Sequence, residues 1–353
     1  MLLMAAAAWS VQLARADAAL RAGTEAGIAR AIELASDNTA YLALAVVQRE
    51  AAGGETVALL TRIAELNPML GLPRVRLALE AERRGDVREA ERWLVEANSV
   101  DKQFAPRWAL AQFYLRQARR AEFWTWARAA LEMSFGDRSE VFDACRVASN
   151  DAAEILRRAI PETPSVREAY LRYVVSRRKL DAIAGAARGA GDVRYRLEAT
   201  DVLLEAGRFA DAVEVWRGLG RTAPNGITSP KFEAASTGQG FDWRFLNSEG
   251  VTHQQLEQGR GHRVRLSGRQ AEVAVLLSQY VGGLRKGAQY RLHAVMEGAP
   301  EGLVWRVADR PVSDAFTAPD EVALLQLVYE RPKGSARAEA EFDLKDVTVS
   351  ALQ

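Results

Sequence analysis

The sequence predicts a multidomain chain, α then β: an α-solenoid of helical hairpins followed by an antiparallel β-sandwich. Three observations predict it. Alanines recur about thirty-three residues apart at Ala31, Ala64, Ala97 and Ala130. Near residue 223 the composition changes from Ala, Leu, Arg and Glu to Gly, Val, Ser and Thr. Beyond that point, short alternating runs replace the helical spacing.

Residues 1–24 form an apolar N-terminal segment. Ala14-Arg15-Ala16 is like a small-residue cleavage site, yet no basic residue precedes Leu2. The run is too short to span a bilayer. Three readings stand: the tail of a membrane helix, a signal peptide, or the first solenoid helix.

Residues 25–223 carry the repeat. Leu44-Ala45, Leu77-Ala78 and Leu110-Ala111 are expected to share one phase, with Asp37, Pro68 and Asp101 at the joints. In the unit LPRVRLALEAERRGDVREAERWLVEANSVD, Leu77, Ala78 and Ala81 mark the first helix. Gly85-Asp86 marks the turn, and Ala90, Trp93, Leu94 and Ala97 mark the second helix. A helical hairpin cannot bury its apolar stripe alone, so it stacks on copies of itself. The pattern resembles tetratricopeptide repeats, and ATDVLLEAGRFADAVEVWRGL repeats it with Gly207, Ala212 and Trp216. Residues 138–190 are helical but degenerate, broken by Pro161 and Pro164. Thr222-Ala223-Pro224-Asn225-Gly226 marks the boundary to the β region.

One hairpin departs from this pattern. RWALAQFYLRQARRAEFWTWARAALEM is rich in aromatic residues, and Trp124 and Trp126, two apart, cannot share a helix face. At least one is expected to face outward. Arg107, Trp108, Arg116, Trp124, Trp126 and Arg128 are therefore the candidate protein-contact residues.

Residues 227–353 read as short strands separated by Gly, Pro and Asn turns, such as HRVRLSG, EVAVLLSQYV, AQYRLHAVME and EVALLQLVYER. KFEAASTGQGFDWRF, LLSQYVGGLRKGAQYRLHAVM, GLVWRV and FDLKDVTVSAL together resemble the jelly-roll carbohydrate-binding modules of the galactose-binding-like superfamily. The resemblance implies a sugar-binding surface, with Trp243, Tyr280 and Trp305 as candidates. Trp243 has an alternative role as a buried anchor of the first strand.

In that family, carboxylates of the first and last strands often hold a structural calcium, and Glu233 and Asp346 occupy the matching positions. Pro230-Lys231 and Lys345-Asp346 stand where the family has Asn-Gly and paired Asp, which removes ligands. The alternative is that Glu233 and Asp346 are surface residues or an ion pair. No other cofactor is expected. The whole arrangement is similar to bacterial repeat proteins linked to exopolysaccharide or O-antigen assembly. That resemblance implies a cell-envelope setting, periplasmic or membrane-anchored, with the cytoplasm as the alternative.

The formal net charge of +1 gives no field to attract nucleic acid. Cys145 is the single cysteine, so no intramolecular disulfide forms, and it reads as a small buried residue. Of three histidines, His253 and His262 lie in THQQLEQGRGHRV and read as loop residues, while His293 reads as the rim of a strand. No phosphate loop, dinucleotide fingerprint or nucleophile elbow occurs.

The expectation is a non-enzymatic protein-interaction scaffold supporting polysaccharide assembly or export. The alternatives are a carbohydrate-binding protein with the solenoid as spacer, or a structural protein whose β-domain caps the solenoid.

Overall fold

The computed structural model describes residues 2–256 and 261–352. The chain divides into two compact units, Met1–Thr163 and Pro164–Gln353. The division falls between Pro161 and Pro164, and the compositional switch at residue 223 lies inside the second unit.

The first unit contains α1 (Leu2–Leu20), α2 (Glu25–Leu34), α3 (Thr39–Ala51), α4 (Val57–Leu66), α5 (Leu72–Arg83), α6 (Val87–Val100), α7 (Phe104–Arg116), α8 (Arg120–Met133), α9 (Ser139–Ala148) and α10 (Ala152–Arg158). The helices α1–α2, α3–α4, α5–α6 and α7–α8 pair as hairpins, and α9 and α10 pack on α7 and α8. Side-chain oxygens accept from free backbone N–H groups at several helix starts: Thr24 from Gly27, Asn38 from Ala40, Asp86 from Glu89 and Asp151 from Ala153. Ala31, Ala64, Ala97 and Ala130 are all buried on the second helices, as close helix approach requires.

The first helices keep a different spacing. By burial, Ala45-Val46 of α3 corresponds to Leu77-Ala78 of α5 and Leu110-Ala111 of α7. The step from α3 to α5 is therefore 32 residues, not 33, and Leu44 turns outward although Leu77 and Leu110 are buried. The five-residue connections on either side of α4, residues 52–56 and 67–71, absorb the slip.

The second unit begins with α11 (Pro164–Ser176), α12 (Leu180–Ala187), α13 (Val193–Glu205) and α14 (Phe209–Gly218), again paired as hairpins. Five hairpin turns end alike. The amides of Gly54, Asp86, Arg119, Lys179 and Arg208 each donate five residues back, to Arg49, Ala81, Tyr114, Val174 and Leu203. The residue before each has positive φ: Gly53, Gly85, Ala118, Arg178 and Gly207. This is the left-handed helix end that glycine favours.

Among the described residues ten strands follow: β1 (Arg244–Phe245), β2 (Val251–Gln255), β3 (His262–Ser267), β4 (Val273–Val281), β5 (Gln289–Glu297), β6 (Leu303–Val307), β7 (Arg310–Val312), β8 (Ala315–Thr317), β9 (Ala323–Glu330) and β10 (Glu339–Ala351). They form two five-stranded antiparallel sheets, β1-β4-β9-β6-β7 and β2-β3-β10-β5-β8. Four pairings are nested: β3 with β10, β4 with β9, β5 with β8 and β6 with β7. Apolar side chains of both sheets share one core, including Val264 and Phe342 from one and Leu276, Leu327 and Trp305 from the other.

Candidate functional site

On the first unit, the exposed face of the first helices differs from an ordinary solvated one. Leu44 (43%), Val47 (53%), Leu72 (54%) and Leu79 (50%) stand open on α3 and α5. The residue spacing that aligns the buried stripes also aligns these positions: Ala40, Leu72 and Ala105; Leu44, Arg76 and Ala109; Val47, Leu79 and Gln112. Charged side chains normally occupy such a face. Here the neighbouring arginines are committed elsewhere, Arg76 to Glu50, Arg83 to Glu80 and Arg116 to Glu82. Within these positions of α3, α5 and α7 all but Arg76 and Gln112 are apolar or small, and Glu140 and Asp143 are exposed on α9. The alanine count drew attention to the buried stripe, and only the 32-residue slip brings Leu44 and Val47 into the open row.

The structure corrects the aromatic hairpin. Trp108 and Trp124 are buried, Trp108 stacked on Phe104 and Trp124 tilted against Phe123. Trp126 is half-buried. Arg107 is also inward work: its guanidinium donates to the Ala129 carbonyl, 2.9 Å away, in the last turns of α8. Arg74, at the corresponding position of the preceding hairpin, bonds instead the Glu96 carboxylate of α6 and the Leu70 carbonyl just ahead of α5. Arg167 and Arg196 lie over Gly189 and Gly218 at the ends of the later hairpins. A cation near helix C-terminal carbonyls is favourable, which suits the place of Arg107. Arg116 makes a bidentate pair with Glu82 at 2.8 and 2.7 Å, and Arg128 lies 3.6 Å from Glu132. Arg116 thus ties its hairpin to the preceding one, these contacts of Arg107 and Arg128 stay within their own, and Arg116 stays exposed while Trp126 is half-buried.

The sugar-binding candidates are likewise inward. Trp243 is 2% exposed, stacks on Phe232 and donates its indole N–H to the Ser229 carbonyl. Trp305 is buried in the shared core. Tyr280 is half-buried under the Arg244 guanidinium, 4.9 Å from its ring centroid. None presents the free aromatic plane that sugar stacking needs. The burial of Trp243 follows its alternative role as an anchor.

The calcium positions do not form a cage. Glu233 is exposed and accepts from the Lys231 amide at 2.9 Å. Asp346 follows a bulge in β10, with Oδ1 buried and without a hydrogen-bond partner among the described residues. Calcium takes six to eight oxygens. Among the described residues no group of three or more acidic, histidine or cysteine side chains could hold a metal ion. The residues present do not fit the ion.

The segment 240–245 carries a second arrangement, inside the second unit. Phe241 meets the Trp216 indole of α14 edge-on. Asp242 accepts from Arg221 at 2.9 and 3.0 Å and from the Thr237 hydroxyl at 2.6 Å. Arg221 also lies 4.4 Å from the Trp216 ring centroid. Asp201 of α13 accepts from the Gly240 amide at 2.7 Å and from Arg244 at 2.5 Å. Gly240 has φ +59°, and a Cβ there would collide with the Trp216 ring, so the chain crosses the indole only as glycine.

The histidines were expected in a loop, and the structure corrects this. His253 lies in β2 and His262 in β3, with His262 buried; residues 257–260 between these strands lie outside the described residues. His293 is exposed on β5, as its rim reading anticipates. Burial pushes the Cys145 thiol up to about 12, which makes it an inert core group.

No protein-family model matches the chain, and none of the curated proteins compared matches it. Solved structures similar to it include PilF of Pseudomonas aeruginosa, at 17% identity and TM-score 0.30 over 53% of this chain and 91% of that one. YrrB, described as a TPR protein with an unusual peptide-binding site, matches at 12% and 0.24 over 45% and 89%. PilW, described as a type IV pilus biogenesis factor, matches at 10% and 0.30 over 60% and 92%. Likenesses this low leave the functional reading to the chain's own residues.

Proposed function

We propose that the chain is a non-enzymatic protein-interaction scaffold, whose open row on the first helices receives an apolar segment of a partner protein. The observation that carries this is the exposure of Leu44 and Val47 on α3 and of Leu72 and Leu79 on α5, with Val47 and Leu79 at corresponding positions. A contiguous exposed aliphatic surface marks an interaction site. The hairpin repeat, its buried alanines and its shared turns support the tetratricopeptide-like reading.

The nested strand pairs support reading the β-domain as a jelly-roll sandwich, a long two-stranded ribbon wrapped on itself. Its role in this proposal is to cap the last hairpin. The contacts of Phe241 with α14, of Arg244 with α13 and of Asp242 with Arg221 just beyond α14 favour that over sugar binding. The envelope and polysaccharide-assembly setting rests on the resemblance in sequence. In α1 every side chain from Ala6 to Gln12 is exposed, and apolar residues such as Trp9 and Val11 are among them. These suit contact with a membrane surface, although no helix among the described residues is long and apolar enough to cross a membrane.

A photo-crosslinking residue placed at Leu79 in the native host tests the reading. It should yield a discrete protein adduct that is lost when Leu44→Glu and Val47→Glu are added. The same probe at Val193, on the second unit, should not yield that adduct. Absence of any protein adduct at Leu44, Leu72 and Leu79 would refute the proposal.

A further inference from the structure

The strand that joins the β-domain to its helices has a second side, and it rests on two histidines. Phe245 of β1 stacks on the His262 ring, centroids 3.7 Å apart and planes within 7°. Phe232 packs on the same ring at 5.9 Å. His253 places Nδ1 3.1 Å from His262 Nε2. At that separation one ring nitrogen donates and the other accepts, which requires that not both be protonated there. His262 is 3% exposed, and His253 Nε2 is buried with no hydrogen-bond partner among the described residues.

Among the described residues, the surroundings offer no counter-charge to either ring. Just after β1, and from β4, the carbonyls of Leu246 and Leu276 face His253. Asp242 lines the small cavity beside His262, but it is held by Arg221 and Thr237. Arg244 of β1 is held by Asp201. Arg263 of β3 is held by Asp343 of β10, which Lys345 also bonds. Lys231 and Glu233 flank Phe232 and are exposed. A proton added to the pair would be a buried charge among Phe232, Phe245 and the neighbouring Trp243.

We propose that the His253–His262 pair is an acid-sensitive latch, whose protonation lifts Phe245 off the core and frees segment 240–244 from α13 and α14. The chain links the two events directly. Trp243 and Phe245 face the core and the histidines, while Phe241, Asp242 and Arg244 of the same segment hold the helices. Burial holds His262 down at about 4 and lowers His253 as well. An opened pair would titrate near the ordinary value of about 6.5. Closure is therefore fully favoured above that value, weakens as pH falls from 6.5 toward 4, and changes little below. The His262 proton alone makes opening about thirtyfold easier at pH 5 than at pH 7.5.

Hydrogen exchange on the full chain at pH 7.5, 6 and 5, corrected for intrinsic rates, tests the latch. Residues 240–246 should lose protection by about thirtyfold from pH 7.5 to pH 5, while α5 to α8 keep theirs. His253→Gln or His262→Asn should flatten that dependence. Unchanged protection in the natural chain, or the same loss in both variants, would overturn the proposal. Should the variants fail to fold, histidine ring-proton titration of the His293→Gln chain decides, because only the pair remains. Midpoints below pH 6 support the latch, and midpoints at 6 or above overturn it.

Discussion

Phe241 meets the indole of Trp216 edge-on, with ring centroids 5.5 Å apart. The contact lies where the first extended segment of the β-domain crosses the last helical hairpin. Arg221 covers the same indole and bonds Asp242, the next residue along. An aromatic pair, a cation over a ring and an ion pair thus converge on two helical turns. A flexible tether between domains would show none of them.

Phe241→Ala should remove about 3–5 kcal/mol from the stability of the second unit, as expected for a fully buried ring with little room to collapse. Calorimetry of the full chain should show a lowered transition for that unit, with the transition of Met1–Thr163 unmoved. An unchanged thermogram would show that the joint contributes nothing.

Ala118 occupies a turn position that Gly85 and Gly207 fill elsewhere, with φ +56°. Ala118→Gly should relieve the left-handed strain and stabilise the first unit by about 0.5–1 kcal/mol. Gly85→Ala should cost about 1 kcal/mol for the converse reason. Urea unfolding midpoints check both, and the two shifts should have opposite signs.

Leu72→Glu and Leu79→Glu should leave stability within about 0.5 kcal/mol of the natural chain, because both side chains are half exposed. They should nonetheless abolish crosslinking from the open row. A large fall in melting temperature instead would show that these leucines pack internally.

The Arg263 guanidinium, with Lys345 beside it, holds the Asp343 carboxyl down at about 2. The folded state thus favours the charged carboxylate. This contribution is complete above the ordinary value near 4 and is lost as pH falls through it toward 2. Asp343→Asn should cost on the order of 1 kcal/mol at neutral pH, since solvent screens the partly exposed Arg263. The difference from the natural chain should shrink when unfolding is measured between pH 4 and 2.

The helical half was legible because its signals are local. Ala31, Ala64, Ala97 and Ala130 recur at one spacing, and Gly85 and Gly207 sit at turns whose geometry favours glycine. The slip of α3 was not legible, because Leu44-Ala45 has the composition of Leu77-Ala78 and differs only in what surrounds it. Among the candidate site residues, Trp243 was readable as an anchor of the first strand, although the turn before it also suits an exposed ring. Arg107 was not readable as a helix-end ligand. Its partner, the Ala129 carbonyl, is a backbone group that no side-chain pattern announces.

From the sequence alone follow the hairpin repeat, the change to strands after residue 223 and a near-neutral charge. Each depends on periodicity or composition, which a linear chain carries openly. Tertiary structure alone decided that Trp108 and Trp124 are both inside and that Leu44, Val47, Leu72 and Leu79 are outside. It also turned two loop-like histidines into a buried pair, and it joined Phe241 to Trp216 and Arg244 to Asp201. The physical reason is distance along the chain. Burial and charge pairing depend on which segments meet, and these partners lie 25 and 43 residues apart.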